Sequence, residues 1–240
     1  MSIWGIADLH LSFSTDKPMA VFGEKWKDHP CKIKQAWEDQ VSPEDLVVIP
    51  GDISWAMSPG EARADLEWLA SLPGTKLIIR GNHDYWWSSI SKVRRNLPEG
   101  VFALQNDHFL WGEWAVCGSR GWISPGENRF DDQRDYKIYL REKMRLELSL
   151  QSAYRSKARR LLAALHFPPF NSHREPSAFT ELLEDYGVEI CLYGHLHGAS
   201  GKQVLEGERK GVDYRFVAAD GLDFAPALIV GEARPNHFTE

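Results

Sequence analysis

Leu77-Ile78-Ile79-Arg80-Gly81-Asn82-His83-Asp84 joins a short apolar run to a turn made of a glycine, an amide, an imidazole and a carboxylate. Aliphatic residues bounded by turn formers read as a buried strand. The polar tetrapeptide then stands at its carboxyl end, where open α/β sheets place their ligand crevices. The same grammar recurs along the chain. Residues 3–7 run into Asp8-Leu9-His10, residues 46–49 into Pro50-Gly51-Asp52, residues 161–165 into His166, and residues 190–193 into Gly194-His195-Leu196-His197.

Between these runs lie helical patterns. Ser58-Pro59-Gly60-Glu61 offers a cap, a first-turn proline and a capping-box acid, so a helix is expected from there to about Leu72. A second is expected over 88–97 and a longer one over 135–154. In the longer helix Tyr136, Leu140, Met144 and Leu148 recur at i+4, a stripe read as core contact, and its charges as a solvated face. Residues 102–104, 109–111, 114–117 and the segments after Gly198 read as further strands with tight turns. Strands alternating with helices imply an α/β sandwich with a second sheet. No repeat, low-complexity tract or long linker divides residues 1–240, which read as one domain.

Composition narrows the function classes. Of 240 residues, 43% are hydrophobic and 26% charged, ordinary globular usage that excludes disordered and fibrous classes. With 28 basic and 34 acidic residues the formal charge is -6, so no overall field gathers nucleic acid or anionic lipid. Cys31, Cys117 and Cys191 are an odd number without a C-x-x-C pair, which argues against a disulfide framework or structural zinc and for a reducing compartment. The first residues lack a basic n-region, and no stretch approaches the roughly 18 apolar residues of a membrane span. A soluble, cytoplasmic protein is expected.

Each motif alone has an ordinary reading. Asp-x-His is short, Gly-Asp is a common turn, and a single buried histidine is usually just hydrogen-bonded. Gly-Asn-His-Asp is rarer, with roughly 0.001 copies expected by chance from this composition. Five of the nine histidines, His10, His83, His166, His195 and His197, stand at strand ends with Asp8, Asp52, Asn82 and Asp84. Packing so many imidazoles and carboxylates together without a cation would leave polar groups unpaired, so metal binding is expected. His29, His108, His173 and His237 lie in turn-rich segments and read as surface residues. Trp4, Trp55, Trp86 and Trp87 neighbour the motifs and read as core packing. Arg120, after the strand at 114–117, is a candidate for bidentate contact with a substrate phosphate. Residues 11–29 carry Phe13, Phe22 and Trp26 without periodicity and are a candidate flap.

Taken in order, Asp8-x-His10, Gly51-Asp52, Gly81-Asn82-His83-Asp84, His166 and Gly194-His195-x-His197 resemble the full motif set of the calcineurin-like metallophosphoesterases. The motifs span residues 8 to 197. The resemblance implies a two-sheet β-sandwich flanked by helices, the four-layer metallophosphoesterase fold, with a dinuclear metal site at one edge. It further implies Asp8, His10 and His197 on one ion, Asn82, His166 and His195 on the other, and Asp52 bridging. His83 matches the family's noncoordinating catalytic histidine, and Asp84 the carboxylate that orients it.

Elementary physics agrees with that assignment. Two divalent ions about 3.5–4 Å apart need a shared anion against their repulsion, and a short carboxylate such as Asp52 can supply it. Hydrolysis by attack of a metal-bridging hydroxide follows, with His83 protonating the departing oxygen. Nitrogen and oxygen ligands without thiolate suit two divalent ions drawn from Mn, Fe, Zn, Co or Ni. The expected substrate is a small-molecule or peptide-borne phosphomonoester, or a phosphodiester such as a cyclic nucleotide. A non-catalytic scaffold of the same fold is the alternative from another class; retention of all seven ligand positions weighs against it. Nucleic acid and membrane are not expected partners, and nothing in the sequence sets the oligomeric state.

Overall fold

The computed structural model describes residues 1–156, 158–198 and 204–231. In it the five apolar runs are strands: β1 (Ile3–Gly5), β2 (Leu46–Ile49), β3 (Thr75–Ile78), β7 (Arg160–Leu165) and β8 (Ile190–Tyr193). The shorter segments also form strands, namely β4 (Val101–Ala103), β5 (Phe109–Trp111) and β6 (Trp114–Ser119). After Gly198 come β9 (Gly207–Arg209), β10 (Val212–Phe216) and β11 (Ala227–Val230). The remaining residues of that segment, 199–203, lie outside the described residues, as does His237.

Two mixed sheets result. One has the order β11-β1-β2-β3-β4, parallel except for β11; the other has the order β5-β6-β7-β8-β10-β9, with β5 and β9 antiparallel to their neighbours. Buried strands with both faces covered need apolar residues at every position, which is why the runs do not alternate. Ile3, Leu46, Val48, Leu77, Val116, Leu162, Ala164 and Leu192 fill the space between the sheets. Helices α1 (His29–Gln40), α2 (Ala62–Ser71) and α3 (Ile90–Asn96) cover the outer face of the first sheet through Ile33, Trp37, Leu66, Leu69 and Val93. Helices α4 (Asp135–Arg155) and α5 (Ala178–Asp185) cover the second through Tyr139, Leu146, Leu150, Phe179 and Leu183. The four layers agree with the sandwich expected from the sequence. The sheets are stitched at one rim, where Ala7 donates to Val217 O at 2.6 Å and Ala219 donates to Ala7 O at 2.9 Å.

Several details differ from expectation. Helix α2 begins at Ala62, and Ser58 to Glu61 form the turn before it, with Glu61 N donating to Ser58 Oγ at 3.3 Å and Met57 N to Glu61 Oε2 at 2.8 Å. In α4 the stripe Tyr136, Leu140, Met144 and Leu148 is exposed, and the buried face is instead Tyr139, Glu142, Leu146, Ser149, Leu150 and Ala153. Charge and hydroxyl on that second stripe conceal it in a hydropathy reading. His29 is not a surface residue: it is 5% exposed, with Nδ1 3.1 Å from Trp26 O and Nε2 3.0 Å from Leu9 O. His108 is half-buried against Ser152 Oγ, whereas His173 is exposed. Among the described residues, no helix is long and apolar enough to cross a membrane.

Candidate metal centre

The strand ends bring the motif residues to the stitched rim. Asp8 follows β1 and His10 lies two residues on; their amides donate to Gly51 O and Asp52 O at 3.0 Å each, which keeps the first two loops side by side. Asp8, His10, Asp52 and His195 all adopt left-handed backbone, with φ of 60°, 46°, 53° and 73°. Such turns swing the side chains back over the strand ends. The motif glycines have a steric reason. A Cβ at Gly81 would overlap the Asp52 carboxylate, and one at Gly194 the Asp8 carboxylate.

Four side chains converge so that one ligand atom from each lies within 4.8 Å of the others: Asp8, His10, Asp52 and His197. Asp8 Oδ2 accepts from His195 N at 2.9 Å, while its Oδ1 is buried with no partner among the described residues. Asp52 Oδ1 accepts from His83 N at 2.8 Å, and its Oδ2 is likewise buried and unpartnered. The His10 and His197 Nε2 atoms face each other at 3.0 Å. A second group adjoins this one: His166 Nε2 is 2.7 Å from Asn82 Oδ1 and 3.3 Å from His195 Nδ1. Asp52 Oδ2 lies between the groups, 3.7 Å from His10 Nε2 and 3.5 Å from His166 Nε2.

Orphaned carboxylate oxygens facing clustered imidazole nitrogens are what a cation would satisfy, so the residues present fit a divalent metal. Protonation supports the fit. Burial pushes Asp8 and Asp52 above the usual carboxylate range. Burial likewise holds His166 down to about 3 and His195 to about 2, leaving neutral rings able to ligate. His166 Nδ1 is 2.9 Å from Pro50 O, so Nδ1 carries the proton and Nε2 presents its lone pair.

Asp220 was not foreseen from the sequence. It is 5% exposed, and its Oδ1 lies 3.3 Å from His197 Nδ1 while Oδ2 accepts from Gly198 N at 2.8 Å. Burial works to lower His197, yet the bond to Asp220 and the charge of Asp8 carry it above its ordinary value. The only sequence signal for Asp220 is that it follows the apolar run at 217–219, without a motif around it.

His83 stands beside the centre without joining it. Its ring centroid is 4.4 Å from that of Trp55, which in turn stacks on His10 at 4.9 Å, so Trp55 belongs to the site wall, whereas Trp4, Trp86 and Trp87 are core. Burial lowers His83 while Asp52 pulls it up. The expected orienting contact from Asp84 is absent. Asp84 accepts from Asp52 N, Ile53 N, Ser54 N, Gly81 N and Trp86 Nε1, at 2.7 to 3.1 Å, and His83 Nδ1 has no partner among the described residues. Five donors hold Asp84 as a tie between two loops; burial and then Asp52 nevertheless push it up to about 7. Arg120 is not an exposed loop arginine either: its side chain is 10% exposed, donates to Glu142 Oε1 at 3.2 Å and lies over the Trp122 ring. In the segment 11–29, Trp26 is buried and packs edge-on against His10 and His197, while Phe13 and Phe22 are exposed.

Comparison with known proteins agrees with this geometry. The chain is 27% identical over 215 residues to the Gene 66 protein of Mycobacterium phage D29, covering 87% of this chain and 85% of that one. It is 33% identical over 81 residues to the Gene 66 protein of Mycobacterium phage L5, covering 34% and 39%. Two solved structures share the fold at 14% identity. They are phosphopantetheinyl hydrolase (PptH) from Mycobacterium tuberculosis, with a TM-score of 0.57 over 96% of each chain, and protein AQ665 from Aquifex aeolicus, with 0.53 over 95% of each. The model of the calcineurin-like phosphoesterase family matches residues 1–199. With that match running through every motif residue at the rim, the chain belongs to the calcineurin-like phosphoesterases, metal-dependent hydrolases acting on phosphoester bonds.

Proposed function

We propose that the chain hydrolyses a small-molecule or peptide-borne phosphoester at a centre of two divalent ions. Asp8, His10 and His197 hold one, Asn82, His166 and His195 hold the other, and Asp52 is shared. The observation that carries this reading is the position of Asp52 Oδ2, buried and unpartnered, 3.7 Å from a nitrogen of the first set and 3.5 Å from a nitrogen of the second. When bound, such ions polarise the phosphoryl group and make water a nucleophile near neutral pH. The chain's own residues position groups and move a proton. Pro50 O and Asp220 fix the tautomers of His166 and His197, and Asp84 locks the loops that carry Asp52 and Asn82. His83, outside both sets, delivers a proton to the departing oxygen. Trp55 keeps His83 and His10 in register and excludes water from that wall. Imidazole, amide and carboxylate donors suit Mn, Fe, Zn, Co or Ni. Three free cysteines support a reducing, cytoplasmic setting.

The test is a turnover screen with added Mn that compares p-nitrophenyl phosphate, bis-p-nitrophenyl phosphate and cyclic nucleotides. Metal-dependent hydrolysis of the monoester or a diester supports the proposal and separates the two. No turnover of any ester with two ions bound would leave a scaffold of the same fold and overturn it.

A further inference from the structure

Three arginines meet around one carboxylate beside the centre, and a fourth, Arg80, stands near them. Arg80 follows β3, Arg120 follows β6, and Arg141 and Arg145 are one turn apart on α4. Glu142 is fully buried, and its Oε1 lies 3.2 Å from Arg120 Nη2, 2.9 Å from Arg145 Nη1 and 3.6 Å from Arg141 Nε. Arg80 is close enough for its charge to act on Glu142 and Asp84. A buried carboxylate needs one well-placed cation. Here the positive charge exceeds that need, and it is partly desolvated: among the described residues Arg120 Nε and Arg80 Nε are buried without a partner, as is the one carboxylate oxygen Glu142 Oε2. Donors left unpaired in such a place mark a position where an acceptor belongs.

The cluster adjoins the donor set. Arg120 O accepts from His166 N and Phe167 N at 3.1 and 3.0 Å, and Arg80 is two residues before Asn82. Arg141 and Arg145, with side chains 54% and 27% exposed, open the cluster to solvent, while Arg120 forms its floor. We infer that this cluster is an anion subsite that takes a second phosphate of the substrate, so that preferred substrates are phosphoesters bearing a further phosphate besides the one removed. Guanidinium forks match phosphate oxygens pairwise, and several close together favour a dianion over a neutral group. The inference rests on the phosphoesterase reading and names the substrate class for it.

The experiment compares mono- and bisphosphates of straight-chain alkanediols of graded length, with Mn present, in wild type, Arg141→Ala/Arg145→Ala and Lys137→Ala. Lys137 is an exposed cation on the same helix outside the cluster. For at least one length, kcat/KM in wild type should favour the bisphosphate by about tenfold or more. That ratio should fall towards one in the double variant and persist in Lys137→Ala. A ratio near one at every length while the monophosphates are hydrolysed overturns the subsite and leaves the phosphoesterase standing. If no ester is hydrolysed, calorimetry of bisphosphate binding still decides: binding that the double variant loses upholds the subsite while the hydrolase reading fails, and absent or unchanged binding overturns it. Melting curves verify that the double variant is folded, and Arg141→Ala alone replaces it if it is not.

Discussion

The two halves of the centre differ in charge. Asp8 and Asp52 bring two carboxylates to the half that contains His10 and His197, and each keeps one buried oxygen without a partner. Asn82, His166 and His195 bring only neutral atoms, and with the His166 proton on Nδ1 its Nε2 lone pair faces the Asn82 oxygen. The first half therefore bears an uncompensated electrostatic demand, while the second carries no charge of its own. Under the two-ion proposal, one half would capture a cation and the other would accept a second, with Asp52 already standing between them.

The largest test breaks the link between the halves. Asp52→Asn places a neutral amide between two cations, and turnover should fall by about 10⁴-fold or more with loss of bound metal by elemental analysis. A variant that kept both ions and near-normal rates would remove Asp52 from the bridging position. Next comes His83, which belongs to neither half. His83→Ala should lose about 10³-fold in turnover with both ions retained, and alkyl esters should suffer more than aryl esters whose leaving phenol needs little protonation. Equal losses for both leaving groups would end the proton-donor role.

Metal titration sharpens the contrast directly. Loading of the chelated protein should show two steps, the first about 100-fold tighter than the second, and equal affinities would dissolve the distinction drawn here. Asp220→Asn should weaken metal affinity by about tenfold through misorientation of His197, and the first step should bear most of that change. The smallest effect concerns pH. Asp8 and Asp52 have folded-state pKa values raised above those of the unfolded chain, so between the two the native state binds more protons. Their contribution to the metal-free fold is then lost as pH rises through the raised values, while the lowered His166 and His195 act in the opposite sense, so the melting temperature of the chelated wild type should fall with rising pH relative to that of chelated Asp8→Asn. An equally steep slope in the variant would assign the effect to other groups.

Most of this architecture was legible in the chain because apolar runs that end in chemistry-bearing turns report both strand and site at once. Asp8, His10, Asp52, Asn82, His166, His195 and His197 could be nominated together, and they do meet at one rim. What stayed hidden depends on partners distant in sequence. Asp220 lies 23 residues from His197 and belongs to no motif. The face that α4 buries includes Glu142, a residue that looks solvated until Arg120 and Arg145 are seen around it. Asp84 sits next to His83 in the sequence, which invites a pairing, yet backbone amides of the neighbouring loop take its oxygens first.

The left-handed backbone at Asp8, His10, Asp52 and His195 has a bearing on how such a protein can change. Each non-glycine residue held there costs about 1 kcal/mol relative to glycine, least for the aspartates. Asparagine at Asp8 keeps that backbone and removes a buried charge and a ligand in one substitution, and near neutral pH the chelated protein should melt higher for it. Breeding this chain for heat resistance alone, without metal or substrate in the screen, would therefore reward variants that dismantle the centre. A stabilised and still active descendant is better sought far from that rim, for instance on the exposed ridge of α4, with turnover kept as a condition of every round.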